Sequence, residues 1–146
     1  MPERRARVLF VEDDEILAAI VVRHLEARGH EALAVASAEE AAEAIATGFL
    51  PTIVLLDINL PGASGWDLLR SSALAAAGSP TVYVVTATAV PPARLREFSI
   101  AGFLPKPFAM STLVEIVDRC AARAAGEPSP SDAAAEAASA SSGGFE

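Results

Sequence analysis

Residues 52 to 59 read Thr52-Ile53-Val54-Leu55-Leu56-Asp57-Ile58-Asn59, an unbroken apolar run that ends in a carboxylate. Continuous rather than alternating apolarity is the pattern of a strand covered on both faces, as in a parallel sheet between layers of helices. Two further runs share that character, Arg7-Val8-Leu9-Phe10-Val11 and Thr81-Val82-Tyr83-Val84-Val85. Glu31-Ala32-Leu33-Ala34-Val35 and Phe103-Leu104 are weaker and suit the sheet edges, where Pro105, lacking an N–H, is tolerated. Helical spacing fills the intervals. Ile16, Leu17, Ile20, Val21 and Leu25 recur at three and four residues and stop before Gly29, a C-terminal capping signal. Ser37 with Glu40 reads as a capping box at the head of an Ala-rich helix, and Ser64 with Asp67 as a weaker one. Pro91-Pro92 suits the first turn of a short fourth helix, and Leu113, Ile116, Val117 and Cys120 stripe a fifth. The alternation predicts an α/β fold, a doubly wound (βα)5 unit forming a single domain.

The chain has 146 residues, 52% of them apolar, enough for one conventional core. From Gly126 to Glu146 the composition turns to Ala, Ser, Gly, Pro and acids, with Phe145 as the sole large apolar side chain. Such a stretch buries too little surface to offset its ordering entropy, so the expected division is a folded domain over 1–125 and a disordered acidic tail over 126–146. The net charge of -8 has the wrong sign for a phosphate backbone, which argues against nucleic acid as a partner. One cysteine, Cys120, and a start without a long apolar stretch predict a cytoplasmic chain. No apolar run approaches the roughly 20 residues of a membrane span.

Ligands of doubly wound sheets bind beyond the carboxyl ends of the strands, where the strand order reverses. The polar residues there are Glu12-Asp13-Asp14 after the first run, Asp57 and Asn59 after the third, Thr86 after the fourth and Lys106 after the fifth. Clustered carboxylates repel one another unless a cation offsets them. An all-oxygen set favours a hard divalent ion, Mg²⁺ most of all. A metal, a lysine and a hydroxyl together neutralise the charge of an in-line phosphoryl transfer, and one carboxylate is then free to accept the phosphoryl group as an acyl phosphate.

Four fragments in order, Val11-Glu12-Asp13-Asp14, Asp57 to Gly65, Thr86-Ala87 and Phe103 to Phe108, resemble the response-regulator receiver domains of two-component signalling, a group that includes CheY. The resemblance spans about residues 6 to 122 and implies the flavodoxin/CheY-like strand order 2-1-3-4-5. It implies Asp57 as phosphoacceptor, with Glu12 and Asp13 as the acidic pair. Asp13 and Asp57 would be direct Mg²⁺ ligands, and Asn59 would lend the metal a backbone carbonyl. Thr86 and Lys106 are the implied phosphoryl contacts, Thr86 and Phe103 the switch pair, and Lys106-Pro107 a cis peptide. The implied phosphodonor is a sensor histidine kinase or a histidine phosphotransfer protein, and the implied output face is the fourth helix, fifth strand and fifth helix. The expectation is a stand-alone phosphoprotein in a phosphorelay, a monomer or weak homodimer, and a switch rather than a turnover enzyme.

Three positions depart from the family pattern. The segment from Thr86 to Lys106 is short, which predicts a short or shifted fourth helix. Pro80 stands one residue further from Thr86 than usual, and Ala109 replaces a polar helix cap, leaving Ser111 to take that role. Other polar residues have plainer readings: Asp14 as an N-cap, Trp66 as a partly buried surface residue, and His24 and His30 as solvent-facing. A haloacid-dehalogenase-like phosphatase also uses a strand-end Asp but wants an acid at the position of Asn59. A pseudo-receiver would lack part of the acidic set, and flavin binding would need a Ser/Thr/Gly-rich loop after the first strand.

Overall fold

The computed structural model of the chain describes residues 5–124; the tail expected over 126–146 lies outside them. Five strands, β1 (Arg7–Val11), β2 (Glu31–Val35), β3 (Ile53–Asp57), β4 (Thr81–Thr86) and β5 (Gly102–Pro105), pair in parallel in the order β2-β1-β3-β4-β5. This is the predicted order, and the two weak runs do form the edges. The register sets Asp57 of β3 beside Val85 of β4, and Thr86 beside Pro105 of β5. The extra residue after Pro80 therefore leaves the strand ends aligned.

Successive side chains of each central strand enter opposite layers. Val8, Phe10, Ile53, Leu55 and Val85 meet α1 (Glu15–Ala27) and α6 (Met110–Ala124) through Val21, Leu25, Leu113 and Val117. Leu9, Val11, Val54, Leu56 and Val84 meet the other layer, α2 (Ala38–Ala46), α3 (Gly65–Arg70) and α4 (Ala73–Ala76), through Ala41, Ile45, Leu68 and Leu74. Each large side chain removed from water contributes about 1.5–3 kcal/mol, so the apolar runs dominate both the stability and the choice of fold.

The helix ends follow their local signals with small differences. Asp14 caps α1, accepting from the N–H groups of Ile16 and Leu17, and Gly29 at φ +91° turns the chain out of it. The complete reciprocal box is the one at Ser64 and Asp67. At α2, Ser37 caps Glu40, but the Glu40 carboxylate reaches one residue further back, to the N–H of Ala36. The third helical region breaks between Arg70 and Ala73, where the Ser71 hydroxyl bonds Leu68 C=O. The fourth predicted helix is α5 (Pro92–Glu97), short as expected. Ser111 does not cap the last helix: the Ala109 carbonyl accepts the N–H groups of Thr112 and Leu113, so Ser111 lies within the first turn of α6.

His30 also differs from its reading. It is 4% exposed, with Nδ1 accepting the Ala6 N–H at 3.0 Å and Nε2 lying 2.7 Å from Asp118 Oδ1. Because a backbone N–H can only donate, the ring proton must sit on Nε2 and be given to Asp118. The imidazole thus ties the start of β1 to α6. Partial burial pushes the Asp118 carboxyl up, but hydrogen bonds from His30 and Arg28 outweigh this and hold it below its ordinary value. His24 is exposed, as expected.

Candidate functional site

The carboxyl ends of β1, β3, β4 and β5 lie side by side, so the residues at and just beyond them converge on one edge of the sheet. Strand β3 delivers Asp57 on its last position, 4% exposed. Its Oδ1 accepts the backbone N–H of Asn59 at 2.9 Å and its Oδ2 the ammonium of Lys106 at 3.1 Å. Each carboxylate oxygen thus has its own hydrogen-bond donor. Strand β1 delivers Glu12, 2% exposed, whose Oε2 accepts the Asp14 N–H, and the exposed Asp13. Carboxylate oxygens of Glu12, Asp13 and Asp57 all lie within 4.8 Å of one another.

Lys106 sits between the two buried acids, with Nζ 2.6 Å from Glu12 Oε1. That contact is a close ion pair that sets the ammonium against the buried carboxylate. Burial raises the Glu12 carboxyl above its ordinary value, the Asp57 charge adds to this, and the Lys106 contact and the Asp14 N–H offset it only in part. Burial alone would lower the lysine, but its bonds to Glu12 and Asp57 win and keep the ammonium charged. Lys106-Pro107 is the cis peptide that the resemblance implied.

Thr86 ends β4 and is 4% exposed. Its Oγ1 accepts Asn59 Nδ2 at 3.3 Å and the Thr88 N–H at 3.1 Å, and lies 3.0 Å from Thr88 Oγ1. Asn59 Nδ2 also reaches Thr88 Oγ1 at 3.3 Å. The hydroxyl is therefore parked on Asn59 and Thr88 rather than on Asp57. Phe103, one strand over, is 40% exposed, with its ring outward.

The structure brings together every residue expected at the pocket. What the sequence did not show is how they are supported. Thr88 is part of the Thr86 network, and the backbone N–H of Asp14 orients Glu12. Gly65 packs so closely that a Cβ there would lie 2.7 Å from the Asp57 carbonyl oxygen. The signal for Gly65 was its place after the Ser64 cap; for Thr88 only its nearness to Thr86 pointed there.

The donor set fits a hard divalent ion. Three carboxylates, one of them the exposed Asp13, offer the oxygen donors that Mg²⁺ would use, while soft or nitrogen ligands are lacking in the cluster.

A family model for the response regulator receiver domain matches residues 8–118. The chain belongs to that family. Its receiver domain is 31% identical over 117 residues to the sensory/regulatory protein RpfC of Xanthomonas campestris pv. campestris, covering 77% of this chain and 16% of that protein. It is 34% identical over 116 residues to the response regulator protein FleR of Pseudomonas aeruginosa, covering 78% of this chain and 24% of that one. The chain thus spans less than a quarter of either relative. Among solved structures, the non-phosphorylated HemR receiver domain of Leptospira biflexa is 30% identical with a TM-score of 0.68, covering 80% of this chain and 94% of that one. A CheY-like receiver from Methanospirillum hungatei shares the fold at a TM-score of 0.73 and 24% identity, covering 82% and 95%. The receiver family is a phosphoacceptor switch of two-component systems rather than a turnover enzyme. Among the described residues, no helix is long and apolar enough to cross a membrane.

Proposed function

We propose that Asp57 accepts a phosphoryl group from the phosphohistidine of a sensor histidine kinase or histidine phosphotransfer protein. An Asp57 oxygen attacks phosphorus and the N–P bond breaks, its electron pair returning to the imidazole, which takes up a proton. The product is an aspartyl phosphate, which water later cleaves to carboxylate and inorganic phosphate. The observation that carries this reading is the Asp57 carboxylate itself: buried, fixed through both oxygens by Lys106 and Asn59, and set within 4.8 Å of two further carboxylates.

Asp13, Asp57 and the Asn59 carbonyl would hold Mg²⁺, with Glu12 supporting them. The ion would neutralise charge on the phosphoryl oxygens. Lys106 is placed to leave Asp57 Oδ2 for a phosphoryl oxygen once the carboxylate charge is spent. Asn59 Nδ2 and the Thr88 N–H both donate to the Thr86 hydroxyl, so its one proton faces Thr88 Oγ1 and must be withdrawn from there to be given to a phosphoryl oxygen. Exposed Ile16 (75%) and Ile20 (42%), one turn apart at the head of α1, present an apolar strip beside the pocket for the donor protein. As the Thr86 hydroxyl moves, space opens for the Phe103 ring to turn inward. In a stand-alone receiver the output is then altered protein binding on the face of α5, β5 and α6.

The test is intact-mass measurement after incubation with acetyl phosphate and Mg²⁺. Wild type gains one acid-stable, base-labile phosphoryl group and Asp57→Asn gains none. Equal labelling of the two proteins overturns the assignment.

A further inference from the structure

Four side chains are stacked in order across the gap between α3 and α5. The Arg94 guanidinium lies 5.3 Å from the Trp66 ring centre, the Trp66 and Phe98 rings are 5.5 Å apart and 16° from parallel, and the Arg70 guanidinium lies 5.6 Å from the Phe98 ring centre. Glu97 closes the assembly, accepting from Arg94 Nη1 at 3.0 Å and Arg70 Nε at 3.4 Å. The neighbours of this stack give it meaning. Helix α3 follows directly on the loop that leaves β3 at Asp57 and bears Asn59, and α5 follows on the loop that leaves β4 at Thr86 and bears Thr88. The stack therefore joins the two segments that flank the phosphoacceptor.

Helix α5 has six residues and no side-chain N-cap, far too short to be stable on its own. Its flanks, Val90 and Ile100, pack on the core, and the stack ties the helix between them to α3. We infer that the Arg94, Trp66, Phe98 and Arg70 stack is a latch that holds α5 against α3 while Asp57 is unmodified and opens when Asp57 is phosphorylated. The inference rests on the phosphoacceptor reading. Asn59 bridges the two loops, its N–H on Asp57 and its side chain on Thr86 and Thr88. Drawing Thr86 to a phosphoryl oxygen breaks the second half of that bridge and pulls residues 87–91 with it. Pro91 and Pro92 have fixed φ and restrict the residues before them, so the loop absorbs little of the displacement and passes it to the start of α5. Guanidinium-ring attraction fades beyond roughly 6 Å. At 5.3 and 5.6 Å, both arginines lose their rings if α5 shifts by about 1 Å relative to α3.

Trp66 is the only tryptophan of the chain, so tryptophan emission reports on its surroundings, the stack among them. The experiment is a titration of the full chain with beryllofluoride and Mg²⁺, read by Trp66 fluorescence, with acetyl phosphate labelling of the same preparation measured by intact mass. Beryllofluoride should shift the wild-type emission. Phe98→Leu, which keeps apolar bulk, should start near the wild-type end point, change little on titration, and bind beryllofluoride about two- to tenfold more tightly, since no aromatic pair resists the shift. Arg94→Gln, a surface change that leaves both rings, should move in the same direction by less. Resting emission in a fully modified wild type, or wild-type affinity in both variants, overturns the latch. Absence of labelling at Asp57 instead overturns the phosphoacceptor reading, and the latch with it.

Discussion

The acidic pocket rests on a charge balance that two substitutions should push in opposite directions. Carboxylate oxygens of Glu12, Asp13 and Asp57 lie within 4.8 Å, a separation at which two unit charges repel by about 0.9 kcal/mol in bulk water and about 3.5 kcal/mol at an effective dielectric of 20. Asp13 is exposed, so its repulsion sits near the water value. Two such repulsions, reduced by the Lys106 charge, leave about 1 kcal/mol. Asp13→Asn should therefore raise the metal-free melting temperature by about 3–5 °C. Lys106→Met does the reverse. It removes the cation 2.6 Å from Glu12 and 3.1 Å from Asp57, carboxylates that are both almost fully buried. Stripping one partner from a buried pair costs about 3–5 kcal/mol, and the 22% exposure of the Lys106 side chain points to the low end, a fall of about 10 °C. Mg²⁺ supplies the missing positive charge. At a hundred times its dissociation constant it stabilises wild type by about 2.7 kcal/mol, should stabilise Lys106→Met by more, and should do little for Asp13→Asn, which lacks a ligand. The assay is thermal unfolding by circular dichroism, first in chelator and then across a magnesium series. A destabilised Asp13→Asn that still responds to metal, or a Lys106→Met as stable as wild type, refutes the reasoning.

Three further outcomes are expected elsewhere. Asp118→Asn should cost about 1–2 kcal/mol near neutrality, because charged hydrogen bonds to His30 and Arg28 are lost. The folded-state Asp118 carboxyl titrates below its unfolded value, so its contribution is complete above the ordinary aspartate range and fades as pH falls from there through the lowered folded-state value; melting temperatures of the two proteins should converge only below that value, and a constant difference down to acid pH would contradict this. Gly65→Ala should lower stability by about 1–3 kcal/mol and slow labelling of Asp57, since its Cβ would meet the Asp57 carbonyl oxygen and Ile58 at 2.7 and 2.9 Å; wild-type melting and labelling rate would show the backbone yields freely. Truncation after Ala125 should leave melting and phosphorylation unchanged, as the composition of 126–146 offers little to bury; a large loss in either measurement would count against the domain division.

The strand order and the identity of the pocket were legible because both are written in local pattern. Continuous apolar runs mark strands buried on two faces, and parallel pairing aligns whatever polar residue ends each run. Glu12, Asp57, Thr86 and Lys106 come together for that reason alone. Caps were equally legible at Asp14 and Ser64, where donor and acceptor are at most three residues apart. The errors at Ser111 and Glu40 are shifts of one or two residues, the range in which neighbouring polar groups compete for the same helix end.

His30 and the α3–α5 stack were illegible for the opposite reason. The partners of His30 are 24 and 88 residues away, just before β1 and on α6, and no property of the segment after Gly29 distinguishes a buried, doubly bonded imidazole from a solvated one. Trp66 and Phe98 are 32 positions apart on elements of six residues each, too short for periodicity to show which side chains face each other. The same distinction separates the strand-end chemistry of the site from the contacts made by the helices around it. Strand ends are fixed by the sheet, so any receiver sequence with these runs assembles the acidic site. The helices that carry its state outward are fixed by long-range side-chain contacts. In a chain whose α5 is this short and whose approach loop is stiffened by two prolines, the proposed latch makes those contacts rather than the strand ends the element that would set how far a change at Asp57 travels.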